Sequence, residues 1–281
     1  MQSIEHPAEM AAWTQELRSR GETVALVPTM GFLHEGHLSL MRRARERADH
    51  LVVSIFVNPL QFGPGEDLER YPRDPDGDAE RCREVGTDVL FLPSSKLLYP
   101  DGFQTTVQPG ALALSLCGAS RPGHFDGVAT VVLKLFNIVS PDVAVFGRKD
   151  YQQLQILRRM GRDLDLPVEI LGMPIVREVD GIAMSSRNAY LSPAERLQAQ
   201  VLHQALDRVE ASVAGGERST DALVQLACSL VSAQPLAEID YVELVDAESL
   251  QPTRELSSPA LLALAVRFGG TRLIDNRVLV P

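Results

Sequence analysis

Five short apolar runs, at residues 24–27, 51–57, 89–92, 143–146 and 168–171, alternate with stretches patterned as helices. This alternation limits the architecture severely, because parallel strands need a crossover of a dozen or more residues, usually a helix. Apart from Ser54 and Glu169, the runs are apolar at successive positions rather than at every second one, as expected for strands covered on both faces. Asn58-Pro59 closes the second run and Pro93 the third. Helices are predicted over about 7–18, opened by Pro7 and stopped by Gly21, then from Leu38, and over 127–139 and 150–162. The predicted fold class is α/β, a doubly wound Rossmann-like parallel sheet with helices on both faces. Ligands of such a sheet gather where its strands end.

The pattern changes after Val176. Ser192-Pro193-Ala194-Glu195 has a capping serine, a proline in the first turn and a glutamate three residues after the cap. That helix is predicted to run to Val213 and stop at Gly215-Gly216. A second helix follows over 220–231, then strands over 239–245, 261–268 and 277–280. Helices followed by closely spaced strands predict a smaller α+β domain. The expected domains are 1–176 and 177–281.

Of the 281 residues, 45% are hydrophobic, enough for one large core or two modest ones. The formal net charge of −10 argues against nucleic acid as a partner. A local cluster of cationic side chains can still attract a small anion. The most apolar stretches are too short to span a bilayer, and the first residues, Met1 to His6, lack the character of a secretory signal. Three widely spaced cysteines, Cys82, Cys117 and Cys228, fit a reducing compartment and suggest no metal cluster. A cytoplasmic location is expected.

Between the first run and the Leu38 helix lies Pro28-Thr29-Met30-Gly31-Phe32-Leu33-His34-Glu35-Gly36-His37. A loop of this kind brings backbone N–H groups and the positive end of a helix to the carboxyl edge of a sheet, where phosphate is favoured. His34 and His37 are three apart, so both face one point if the helix begins near them. Two imidazoles there can donate to charge that builds up in group transfer. Zinc usually needs a third close ligand, and none is evident. The alternative to a functional pair is a helix cap or a satisfied surface histidine.

Other polar clusters stand at predicted strand ends. Gln61, beside Phe62, offers a donor and an acceptor against an apolar wall. In Gly147-Arg148-Lys149-Asp150-Tyr151-Gln152-Gln153, Lys149 suits phosphate and Asp150 suits ribose hydroxyls. Met184-Ser185-Ser186-Arg187-Asn188 could close on a triphosphate. Arg121 to Asp126 is a possible anion site at a helix start. Asp74-Pro75-Asp76-Gly77-Asp78 reads as a solvated acidic turn. Each has a bland counterpart as an ordinary charged loop.

Taken together, these segments resemble the pantothenate synthetase (pantoate–β-alanine ligase) family over nearly the whole chain. The residues that carry the resemblance are Pro28 to His37, Phe56 to Phe62, Arg121 to Phe125, Phe146 to Gln153, Met184 to Asn188 and Arg272 to Asn276. The resemblance implies an enzyme that joins (R)-pantoate to β-alanine through an acyl-adenylate, with ATP as co-substrate and Mg2+. It implies ATP binding by Met30, Gly31, Phe32, Leu33, His34, Glu35, Gly36, His37, Gly147, Arg148, Lys149, Asp150, Val176, Met184, Ser185, Ser186 and Arg187. It implies catalytic roles for His37, His34 and Lys149, and pantoate binding by Gln61 and Gln153. A homodimer and a C-terminal domain acting as a lid are further implications, and the metal ligands stay open. Arg148 stands where the family often has glutamate. The rival expectations are a nucleotidyl transferase with a phosphate nucleophile and a non-catalytic adenine-nucleotide sensor.

Overall fold

The computed structural model describes residues 1–281. Its first six strands are β1 (Gln2–Ile4), β2 (Val24–Thr29), β3 (His50–Ile55), β4 (Val89–Phe91), β5 (Val143–Gly147) and β6 (Glu169–Met173). They form one sheet in the order β1-β4-β3-β2-β5-β6, every pairing parallel. Strand β1 escaped the sequence reading because Gln2-Ser3-Ile4 holds a single apolar residue and makes no apolar run. The helices up to β6 in the chain are α1 (Pro7–Ser19), α2 (Glu35–Arg45), α3 (Pro75–Glu84), α4 (Ser95–Leu98), α5 (Leu116–Ser120), α6 (His124–Val139) and α7 (Tyr151–Asp163). Val24, Ala25, Leu26 and Val27 are wholly inaccessible, as expected of a central strand covered on both faces. Ala25, Val27, Val53 and Val145 pack with Leu40, Met41 and Ala44 of α2.

The order of the strands decides where ligands can sit. From β2 the chain moves through β3 to β4 on one side, then returns to place β5 on β2's other side. The β2/β5 neighbourhood is therefore the switch point, and the segments leaving those two strands border its crevice. These are the histidine loop after β2 and Gly147-Arg148 after β5.

The remaining elements are α8 (Pro193–Ala199), α9 (Val201–Ala214), α10 (Thr220–Ser232), β7 (Ala237–Asp246), β8 (Ala260–Phe268) and β9 (Thr271–Leu279). The three strands make an antiparallel sheet in sequence order. Two corrections to the sequence reading belong here. The helix expected from Pro193 to Val213 is two helices separated at Gln200, although its capping box of Ser192 and Glu195 is present. Strand β9 begins at Thr271 rather than near Arg277, because polar Asp275 and Asn276 are buried in it and hide its pattern.

The chain divides into two compact units. The first comprises Met1–Gly110, Arg121–Arg148 and Gln153–Pro174, and the second Ala111–Ser120, Lys149–Gln152 and Ile175–Pro281. Gln152 shows why the second unit takes in two earlier segments. Its Nε2 donates to the carbonyls of Leu112 and Ser115, and its Oε1 accepts from the Cys117 amide. Leu112, Leu116 and Tyr151 then share a core with Val245, Leu250, Leu261 and Ala263. No helix is long and apolar enough to cross a membrane.

Candidate active site

Helix α2 begins at Glu35, with His34 as its N-cap residue in an extended conformation. Both histidines therefore lie at the positive end of the helix. Their rings are 4.0 Å apart between centroids and tilted by 31°. The His34 amide donates to Nδ1 of His37 at 3.3 Å. An amide can only donate, so Nδ1 of His37 is unprotonated and its ring hydrogen lies on Nε2. His37 thus keeps a donor on its far nitrogen. Glu35 is paired with Arg42 at 2.5 Å.

The loop ahead of the helix differs from the simple amide cradle expected of it. The amides of Phe32 and Leu33 donate to the two carboxylate oxygens of Asp78, at 2.8 and 2.7 Å. The Gly31 amide donates to the Thr29 hydroxyl at 3.2 Å. With the His34 amide on His37, four consecutive amides are engaged within the protein. What the loop presents to an anion is therefore its imidazoles and the first turn of α2.

Asp78 also corrects the reading of 74–78 as a solvated turn. Asp74 caps α3 by accepting from the Gly77 amide, Pro75 opens the helix, and Asp78 is only 2% exposed inside it. Burial pushes the Asp78 carboxyl above the usual range, against the amides of Leu33 and Phe32, which draw it down. The partnership fixes an awkward backbone. Gly31 has φ +85°, and a Cβ there would meet Asp78 Oδ2 and Ile55 Cγ2 at 3.0 Å; Phe32 follows with φ +50°. A non-glycine residue in that region is strained and needs outside support. One local signal for this arrangement was usable, the Asp-Pro helix start, which is a capping pattern rather than a turn.

Gln61 lies in the short 3-10 turn Pro59–Gln61 after β3, capped by Asn58. Asn58 is 1% exposed. Its Nδ2 donates to Gln61 Oε1 and to the Gly127 carbonyl, each at 3.0 Å. The Gln61 carbonyl accepts from His124 Nδ1 at 2.7 Å and from Arg121 at 3.1 Å. Arg121 is forked onto both oxygens of Glu66, at 2.7 and 2.6 Å. The anion site expected at residues 121–126 is thus a brace for the Gln61 turn, because the Arg121 charge is already matched. Burial raises the Glu66 carboxyl, but hydrogen bonding and charge from Arg121 outweigh it and leave the group lowered. Gln153 stands in α7 within the same unit as Gln61.

After β5, Arg148 Nε donates to the Gly172 carbonyl at 3.1 Å, which holds its side chain along β6. In the second unit, Lys149 Nζ is 3.5 Å from Asp150, and the Lys149 carbonyl accepts from Asn276 at 2.8 Å. Val176 and Met184 are joined across a hairpin, the Met184 amide donating to the Val176 carbonyl at 2.9 Å. Ser185 caps the next turn by accepting from the Arg187 amide, and Ser186 is buried. Asp275, 2% exposed, binds Arg177 through two bonds of 2.6 and 3.0 Å. The segment 272–276 is therefore a support: Asp275 anchors the arm of the hairpin and Asn276 the backbone of Lys149. No group of three or more His, Cys, Asp or Glu side chains is placed to hold a metal ion.

A doubly wound parallel sheet with paired imidazoles at the switch point defines a class, the α/β proteins that receive an anion at a helix start. Similarity to known proteins narrows that class. The pantoate–β-alanine ligase family model matches residues 2–278. A pantothenate synthetase of Heliobacterium modesticaldum is 58% identical over 278 residues, 99% of each chain. A pantothenate synthetase structure from Thermus thermophilus has a TM-score of 0.95 at 47% identity and covers all of both chains. The pantoate–β-alanine ligase of Francisella tularensis, solved with β-γ ATP and β-alanine, gives 0.82 at 32% identity, covering 99% of this chain and 97% of that one. The chain belongs to the pantoate–β-alanine ligase family, the ligases of pantothenate synthesis.

Proposed function

We propose that this protein joins (R)-pantoate to β-alanine in two steps at one ATP. In the first, a pantoate carboxylate oxygen attacks the α-phosphorus of ATP, and the bond to pyrophosphate breaks. In the second, the β-alanine nitrogen attacks the acyl carbon, the bond to AMP breaks, and the nitrogen loses a proton. A carboxylate alone is a poor electrophile because it would have to expel oxide; adenylation provides AMP as the leaving group. The observation that carries this reading is the imidazole pair at the start of α2, with Nδ1 of His37 accepting from the His34 amide and Nε2 left as its donor.

Negative charge grows on the phosphates in the first step, and preorganised donors aimed there lower the barrier. His37, His34 and Lys149 are proposed for that task. Met30 to His37, Gly147 to Asp150, Val176 and Met184 to Arg187 are proposed to bind ATP, and Gln61 and Gln153 to bind pantoate. Magnesium is proposed to arrive as the ATP complex and to ease departure of pyrophosphate. The C-terminal α+β domain, residues 177–281, is proposed to act as a lid that keeps water from the acyl-adenylate. A homodimer and a cytoplasmic location complete the proposal, supported by the family resemblance.

The test is product analysis with ATP, magnesium and pantoate, with and without β-alanine. Pantothenate with equal AMP and pyrophosphate, formed only with the amine, is expected. Exchange of labelled pyrophosphate into ATP with pantoate alone reports the first step. If folded, ATP-binding protein shows neither, the assignment is overturned.

A further inference from the structure

The Asn58 amide is oriented by groups whose roles are fixed by their chemistry. Its Nδ2 faces the Gly127 carbonyl, which only accepts, and its Oδ1 accepts from the Leu60 amide, which only donates. Tyr99 adds a third constraint by donating its hydroxyl to Oδ1 at 2.8 Å. Burial pushes the Tyr99 phenol well above its usual pKa, so the donor stays protonated. The remaining Asn58 hydrogen goes to Gln61 Oε1 at 3.0 Å. Gln61 is thereby forced to turn its oxygen inward. Its Nε2 rests 3.3 Å from the Met30 sulfur, a weak acceptor that a ligand oxygen would improve upon.

We infer that Tyr99 and Asn58 are positioning residues that lock Gln61 as a hydrogen-bond donor, so that it recognises an oxygen of pantoate through Nε2. This inference rests on the proposed pantoate site at Gln61. Turning the amide round would present an oxygen to an oxygen-rich substrate. The polarity of the pair therefore contributes to selection for a hydroxy acid.

The experiment measures KM for pantoate and for ATP in three variants. Gln61→Glu keeps the shape but cannot donate and adds a like charge. Its pantoate KM is expected to rise about 100-fold, with the ATP KM within about twofold of wild type. Asn58→Asp can only accept from Gln61, which must then reverse, and a similar selective rise is expected. Tyr99→Phe removes one bond while keeping the ring, and a rise of about 3- to 10-fold in the pantoate KM alone is expected. If Asn58→Asp does not fold, the other two decide. A Gln61→Glu variant with a near-normal pantoate KM overturns the donor role. A Tyr99→Phe variant that leaves the pantoate KM unchanged, or shifts both KM values alike, overturns the positioning role. A wild-type protein that makes no pantothenate overturns the pantoate reading and this inference with it. Wild-type synthesis with either variant result just described overturns the inference alone.

Discussion

Gly127 lies in the first turns of α6, and its substitution by alanine should be harmful for a reason that can be worked from distances. In an exposed helix interior the change would stabilise by about 1 kcal/mol, since glycine is the poorer helix former. Here the added Cβ would lie 2.2 Å from the Leu60 carbonyl oxygen, 2.4 Å from its carbon and 2.6 Å from the Gln61 nitrogen. Ordinary contact begins near 3.5 Å, so the Pro59–Gln61 turn must retreat by about 1 Å. Backbone cannot rotate aside as a side chain does. The turn is also tied to α6 itself, through Asn58 on the Gly127 carbonyl and His124 on the Gln61 carbonyl. Overpacking of this kind costs about 1–3 kcal/mol, enough to reverse the propensity gain. A 1 Å displacement of a positioning group costs about 100-fold in rate. Gly127→Ala is therefore expected to lower stability in urea unfolding and to depress kcat/KM for pantoate far more than for ATP. A variant as stable as wild type, with normal pantoate kinetics, would refute the packing argument.

Three other substitutions probe separate parts of the site. His37→Ala should slow pantoate-dependent pyrophosphate–ATP exchange by about two to three orders of magnitude, the scale for one lost charge-stabilising donor; near-normal exchange would remove His37 from the chemistry. Asp78→Asn offers one acceptor to two buried amides, so a loss of about 1–3 kcal/mol in urea unfolding and a higher KM for ATP are expected. Unchanged values for both would show that the Phe32 backbone does not need the carboxylate. The third concerns pH. The Glu66 pKa is lowered in the folded state, so its stabilising contribution is present above the unfolded value of about 4.3 and is lost as pH falls through the lower, folded one. The stability gap between wild type and Glu66→Gln should therefore narrow between about pH 5 and pH 3. A constant gap across that range would mean that the charge on Glu66 is not what stabilises.

Some of the site was legible before any coordinates. The strand, loop and helix around Pro28 to His37 are encoded locally: an apolar run, glycines and a helix period sit next to each other in the chain. The same holds for the capping box of Ser192 and Glu195, whose partners are three residues apart. The function of Asp78 was not legible, because its two partners are 46 and 45 residues earlier. Acidic residues beside a proline and a glycine look like a turn until α3 packs them under the loop. The anion site expected at Arg121 failed for a related reason. A cation's availability depends on what faces it, and Glu66 lies 55 residues away. Asp275 and Asn276 interrupt the hydrophobic pattern of β9, and only their distant partners, Arg177 and the Lys149 carbonyl, explain why they are tolerated when buried.

The sequence by itself determined the α/β class, the parallel sheet, the smaller α+β part, the histidine loop and the family. These follow from periodicity, capping residues and motifs that act over a few neighbouring positions. Tertiary structure alone decided which polar groups remain available to a ligand. Four amides of the histidine loop turn inward, Arg121 is matched, and Gln61 is held oxygen-inward by Asn58. Hydrogen-bonding capacity is finite at each atom. Its allocation depends on which distant segments the packing brings together, and local sequence carries no record of that.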